Sequence, residues 1–191
     1  LVTLEPVPAE RWRRAEQGWS AIVATARRTP AALPGVIKSA NRLDAILAKL
    51  EAEAAGVDEA ILLSVDGAVA EGTTCNVFWR TGSTLFTPAL EVGILPGVTR
   101  AAVLELVARA GRAAREGRYP VEELRAADEI FLTMTSLGPV PVRALDGRAL
   151  PPAPDDWIPW LRRAYWDEVA RAARDDPLPE PGPVETGTGP D

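Results

Sequence analysis

The chain has 191 residues, 47% hydrophobic and 25% charged, enough for one domain with a sizeable core. Its net charge of −6 argues against nucleic acid or an anionic membrane surface as partner, and no apolar run reaches the ~20 residues that a membrane-spanning helix needs. Histidine is absent, which removes Ser-His-Asp and Cys-His catalysis and the commonest metal ligand, so no metal is expected. The single cysteine, Cys75, cannot form an internal disulfide and fits a reducing, cytoplasmic compartment.

Residues 1–7 and 19–26 read as strands, with "ERWRRAEQG" as the link between them. The chain opens on Leu1 and its only methionine is Met134, so residue 1 is expected to lie downstream of the translation start. "RRTPAALPG" is a loop punctuated by proline. A helix is expected from about Ser39 to Ala55, with Leu43, Ile46, Leu47, Leu50 and Ala54 as its apolar stripe and Gly56 closing it. "EAILLSV" is a buried strand, Asp66-Gly67 a hairpin turn, and "AVAE", "CNVFWR" and "TLFTP" further strands. "GILPG" leads into a helix from about Val98 to Arg112. A short helix in "PVEELRAA", strands "DEIFLTMT" and "VPVRAL", and a second Asp-Gly turn at 146–147 follow. A last helix starts near Asp155 or Asp156, with Pro159 tolerated in its first turn. The tail from 177, "PLPEPGPVETGTGPD", lacks core residues and is expected to be disordered. Strands in the middle with helices around them make the class mixed α and β.

Four features carry possible chemistry. Lys38 and Lys49 are the only lysines among 21 basic residues. Lys38 ends an apolar run, where desolvation favours a neutral amine able to form a Schiff base or take a proton, which arginine cannot do. Lys49 sits on a helix face with Glu53 one turn on. Second, "GILPGVTR" opens a helix with a Gly/Pro turn, so its free N–H groups suit a phosphate. Third, Glu71 ends a strand before Gly72-Thr73-Thr74 and can accept a hydrogen bond from a cationic ring nitrogen. Fourth, Thr133, Thr135 and Ser136 can offer hydroxyls. Taken singly, each also fits a plain reading: a surface lysine, a capped helix, a solvated turn glutamate, edge-strand threonines. Cys75 reads as a core thiol and the six tryptophans as packing anchors. Together, the lysine, phosphate cup, carboxylate and hydroxyls suit pyridoxal 5'-phosphate.

The segments "IKSANRL", "GVDEAILLSVDGAVAEGTTCNVFWR", "LFTPALEVGILPGVTR" and "ADEIFLTMTSLGPVPVRALDG" resemble the fold-type IV pyridoxal-phosphate enzymes, the class-IV aminotransferase family. That family includes branched-chain and D-amino-acid aminotransferases and 4-amino-4-deoxychorismate lyases. The resemblance implies an α+β, mixed α/β fold: the large C-terminal domain of the D-amino-acid aminotransferase-like type, a strand-rich pseudo-barrel flanked by helices. It would occupy residues 1–176, ahead of the tail 177–191. The family's smaller N-terminal domain, about a hundred residues, would be missing. The resemblance also implies a homodimer and assigns roles: Lys38 for the internal aldimine and catalysis, Glu71 for the pyridine nitrogen, Val98, Thr99 and Thr135 for the phosphate, and Ser136 and Arg42 for substrate.

The reaction stays open. Leu43 stands where branched-chain members tend to place a tyrosine, and "KSAN" is similar to the D-amino-acid enzymes. "NRL", "NVFWR" and "SLGPVPV" lean toward the lyase, whereas Thr135 is the aminotransferase residue type. The first expectation is amino transfer between an amino acid and a 2-oxo acid. The second is the lyase reaction, releasing pyruvate and 4-aminobenzoate. The third is a fold remnant that only binds.

Overall fold

The computed structural model describes residues 8–29, 38, 40–151 and 155–175. The expected strand at 1–7 and the tail from 177 lie outside the described residues. The elements run α1 (Ala9–Gln17), β1 (Trp19–Arg28), α2 (Leu43–Ala54), β2 (Glu59–Ser64), β3 (Val69–Gly72), β4 (Asn76–Thr81) and β5 (Thr84–Pro88). Then come α3 (Val98–Arg109), β6 (Ala113–Gly117), α4 (Val121–Arg125), β7 (Glu129–Met134), β8 (Gly138–Leu145), β9 (Arg148–Ala149) and α5 (Trp157–Asp175).

The strands pair in the order β3-β2-β1-β8-β7-β4-β5-β6, and an added β3–β4 pairing joins the first six into a ring. This is the mixed, strand-rich pseudo-barrel that the resemblance implies. Its interior holds Ile61, Leu63, Val69, Val77, Trp79, Ile130, Leu132, Val140 and Val142. Alternate residues point outward, where Phe78 and Phe131 stack at 5.0 Å and pack under α3 and α5 with Val103, Val107, Trp157 and Leu161. Both faces of β2, β4 and β7 are therefore buried along most of their length, which explains why the centre of each strand is apolar on consecutive residues.

The ring closes at one registered pair, Glu71 opposite Asn76. Beyond it β3 leaves the edge of β4, and β5 takes that edge at Trp79–Thr81. Between the two partners the Val77 carbonyl is met by the Thr87 hydroxyl, at 2.9 Å. A cleft opens at this split, beside the start of α3.

Four expectations need correction. The link after residue 7 contains a helix, α1, whose charge-rich "AERWRRAEQ" buries only Ala15. The helix begun at Val98 ends at Arg109, because Gly111 (φ 65°) turns the chain left-handed and releases β6 to pair with β5. Thr133 is not on an edge strand, since β7 lies between β4 and β8. Most tellingly, α2 packs through Ala45, Ala48 and Ala52, not through its leucines. Small side chains let it lie close on β1 and β2, so Leu43, Ile46, Leu47 and Leu50 are 48–63% exposed.

Candidate active site

Glu71 is 4% exposed, so it is not the solvated turn residue that its neighbours suggested. Its Oε1 pairs with Arg28 Nη2 at 3.0 Å. Its Oε2 accepts from Leu95 N at 2.9 Å and from Asn76 Nδ2 at 3.2 Å. Burial pushes the Glu71 carboxyl up, opposed by the Arg28 charge and the Leu95 N–H. Arg28, at the end of β1, is spent within the fold: it also holds Asp44 Oδ2 at 3.1 Å and the Gly93 carbonyl at 2.9 Å.

α3 begins next to this carboxylate. Its N-cap is Gly97, which supplies no capping side chain, so the first-turn N–H groups of Val98 and Thr99 keep their donor capacity. The Thr99 hydroxyl turns back toward Tyr165 Oη at 3.5 Å, leaving the backbone N–H as that residue's contribution. The Thr133 hydroxyl is buried and has no hydrogen-bond partner among the described residues.

These groups line one cleft of about 520 Å³, with Lys38, Arg42, Thr74, Cys75, Met134 and Thr135. Its lining carries four cations (Arg27, Arg28, Lys38, Arg42) against two carboxylates (Asp44, Glu71). In a chain of net charge −6 this is a local positive site, suited to an anion. A larger cleft, about 800 Å³, lies between α1, α2 and the 73–74 loop. There Arg14 pairs with Asp58, Lys49 Nζ donates to the Asp58 carbonyl, and Arg42 donates to the Thr73 carbonyl. The smaller cleft is the better site, because it alone combines the buried Glu71, the open start of α3 and Lys38.

The structure thus brings Lys38, Arg42, Glu71, Val98, Thr99 and Thr135 to one cleft. Ser136, exposed at the end of β7, does not line it. Lys38 is exposed, not the desolvated amine that its position suggested, and lines the cleft. The Lys49 amine reaches the Asp58 carbonyl at 2.8 Å, and does not form the expected pair with Glu53. The Cys75 thiol is buried, and burial together with Glu59 and Glu71 pushes it well up, away from reactivity. Sequence reading missed Arg28 and Asn76. The available signal for Asn76 was an amide ahead of the buried apolar run Val77-Phe78-Trp79. For Arg28 it was a cation closing a strand.

The family model for class IV amino-transferases matches residues 1–145. The chain belongs to that family. It is 41% identical over 136 residues to a putative branched-chain-amino-acid aminotransferase of Methanocaldococcus jannaschii, covering 71% of this chain and 47% of that protein. It is also 41% identical over 110 residues to the aminodeoxychorismate lyase of Bacillus subtilis, covering 58% of this chain and 38% of that protein. A solved T.th. branched-chain aminotransferase, in complex with pyridoxamine 5'-phosphate, superposes with TM-score 0.75 at 33% identity, covering 80% of this chain and 51% of that chain. The chain spans less than half the length of these two curated relatives.

Family members are pyridoxal-phosphate enzymes, and the cleft fits that group. An uncapped helix start and an orphaned Thr133 hydroxyl match a phosphate. A buried carboxylate matches a ring cation, and a rim amine matches an aldehyde.

Proposed function

We propose that this class IV protein is an aminotransferase, moving an amino group between an amino acid and a 2-oxo acid with pyridoxal phosphate held at Lys38. The observation that carries the reading is the shared cleft: Lys38 at the rim, Glu71 buried behind it, and the open start of α3 beside Glu71. Bound there, the cofactor supplies an electrophilic carbonyl carbon and a cationic ring that accepts the electron pair left at the substrate's α-carbon.

The chain's own residues do the rest. The Lys38 amine would hold the aldehyde carbon and, when freed by substrate, would take the proton from the substrate's α-carbon and deliver it to the former aldehyde carbon. Glu71 would accept the ring N–H and favour the protonated nitrogen, while Arg28 on the opposite oxygen orients Glu71 and favours its ionised form. Val98 and Thr99 N–H groups and the Thr135 hydroxyl bind the phosphate. Arg42 meets a substrate carboxylate, with Ser136 near it once substrate is seated. A homodimer fits the exposed stripe Leu43, Ile46, Leu47 and Leu50, an apolar face that a second copy would cover.

The Bacillus lyase relative and the "NRL" and "SLGPVPV" segments favour a second reading. In it the same deprotonation at Lys38 leads to loss of pyruvate. Assays of the longest purified chain containing these residues separate the two. An aminotransferase converts its cofactor to the aminated form with an amino acid alone and needs a 2-oxo acid to recover. The lyase releases pyruvate from aminodeoxychorismate with no acceptor.

A further inference from the structure

We propose that Asn76 is a positioning residue that sets the distance between the two ends of the cofactor site. The inference rests on the functional reading above and extends it to a residue of the cleft lining that the reading leaves without a role.

Asn76 is 4% exposed and opens β4 as the register partner of Glu71. Its Nδ2 donates twice, to Glu71 Oε2 at 3.2 Å and to the Leu95 carbonyl at 2.9 Å. A carbonyl can only accept, so the amide nitrogen must face this pair. Leu95 N returns to the same Glu71 oxygen at 2.9 Å. Glu71, Asn76 and the 95–97 turn therefore form a closed ring of hydrogen bonds. One side of that ring presents the ring-nitrogen acceptor, and the other launches the phosphate-binding helix.

The amide oxygen fixes the second side. A Cβ added at Gly97 would overlap Asn76 Oδ1. Gly97 has φ −67° and ψ 136°, a conformation open to any residue, so glycine is needed here for space and not for backbone freedom. Asn76 Oδ1 and Gly97 thus fit against each other at the N-cap of α3. Other side chains cannot do both tasks. Aspartate has no donor and sets a second negative charge against Glu71, glutamine is a methylene too long, and serine cannot span to Leu95.

The test compares pyridoxal 5'-phosphate with pyridoxal, which lacks the phosphate. Both are titrated by absorbance into the longest chain that contains these residues, as wild type, N76S and G97A. The wild type should prefer the phosphorylated form strongly. In N76S that preference should fall by about tenfold or more, because the two ends no longer match one rigid ligand. In G97A it should fall similarly with Asn76 intact, which keeps the test open if N76S fails to fold. General destabilisation weakens both ligands together and leaves their ratio alone. An unchanged ratio in either folded variant overturns the proposal. A wild type that binds neither form overturns the functional reading as well.

Discussion

A buried ion pair lies near each end of β4, and the two behave differently. At its start, Asn76 lies opposite Glu71, whose carboxylate pairs with Arg28 and has both oxygens occupied. At its far end, Arg80 Nε meets Glu129 Oε2 at 2.5 Å, with Asp155 at 3.3 Å, and Glu129 Oε1 has no partner among the described residues. Burial pushes both glutamates up. Burial and a perturbed carboxyl therefore do not mark function by themselves. Glu71 is set apart by where its hydrogen bonds lead: to the turn that starts α3 and to the strand end that closes the barrel. Those of Glu129 lead to a surface turn through Arg80 and Gly82.

Changes to the cleft and to the far pair should separate cleanly. The largest effect is expected for Lys38→Ala, which removes both anchor and proton carrier: turnover should fall by about a thousandfold or more, measured as product formed per bound cofactor. Glu71→Gln should come next, with a loss of about a hundredfold in turnover and weaker cofactor binding, while Glu129→Gln leaves cofactor affinity at the wild-type value. Glu129→Gln should instead lower unfolding free energy by about 1–3 kcal/mol in denaturant titration, because it removes the charge of one of the two carboxylates paired with the buried Arg80 guanidinium. If it changes cofactor affinity as much as Glu71→Gln does, the contrast between the two ends of β4 fails.

A pH series sharpens the same contrast with a smaller effect. Both carboxyls are raised in the folded state above the ordinary 4.5. The stability each contributes is complete below pH 4.5 and is lost as pH rises through its folded value. Without cofactor, wild type should thus lose stability relative to Glu71→Gln, and relative to Glu129→Gln, as pH climbs from 4.5 toward neutrality. A cationic ring beside Glu71 favours its ionised form, so added pyridoxal phosphate should flatten the Glu71-dependent slope and leave the Glu129-dependent slope unchanged. The smallest expected change is Leu47→Glu on α2. It should shift sedimentation toward monomer with little effect on monomer stability, since Leu47 is 48% exposed and belongs to none of the buried clusters of the described residues.

Much of this was legible before the structure. Alternation, Asp-Gly turns and the Gly/Pro entry to α3 gave the order of elements. A lysine kept among arginines, with a carboxylate ending a strand, pointed to two of the residues that line the cleft. The rest was hidden for identifiable reasons. Helical periodicity shows that α2 has an apolar stripe, but the face that packs is the alanine face, because only small side chains allow its close approach to β1 and β2. β6 has five residues with no buried face, so nothing in "AAREG" alternates. Arg28 lies 43 residues from Glu71 in the chain, and only the β1–β2–β3 order makes them neighbours. Asn76 reads as a polar residue opening a mostly apolar strand until Leu95 and Gly97 are seen against it.

The most direct test of the account is chemical trapping. The longest chain containing these residues, purified with pyridoxal phosphate, is reduced with borohydride, digested and mapped by mass spectrometry. The account predicts a phosphopyridoxyl group on Lys38 and an unmodified Lys49. A label on Lys49 alone, or on neither lysine, would contradict it.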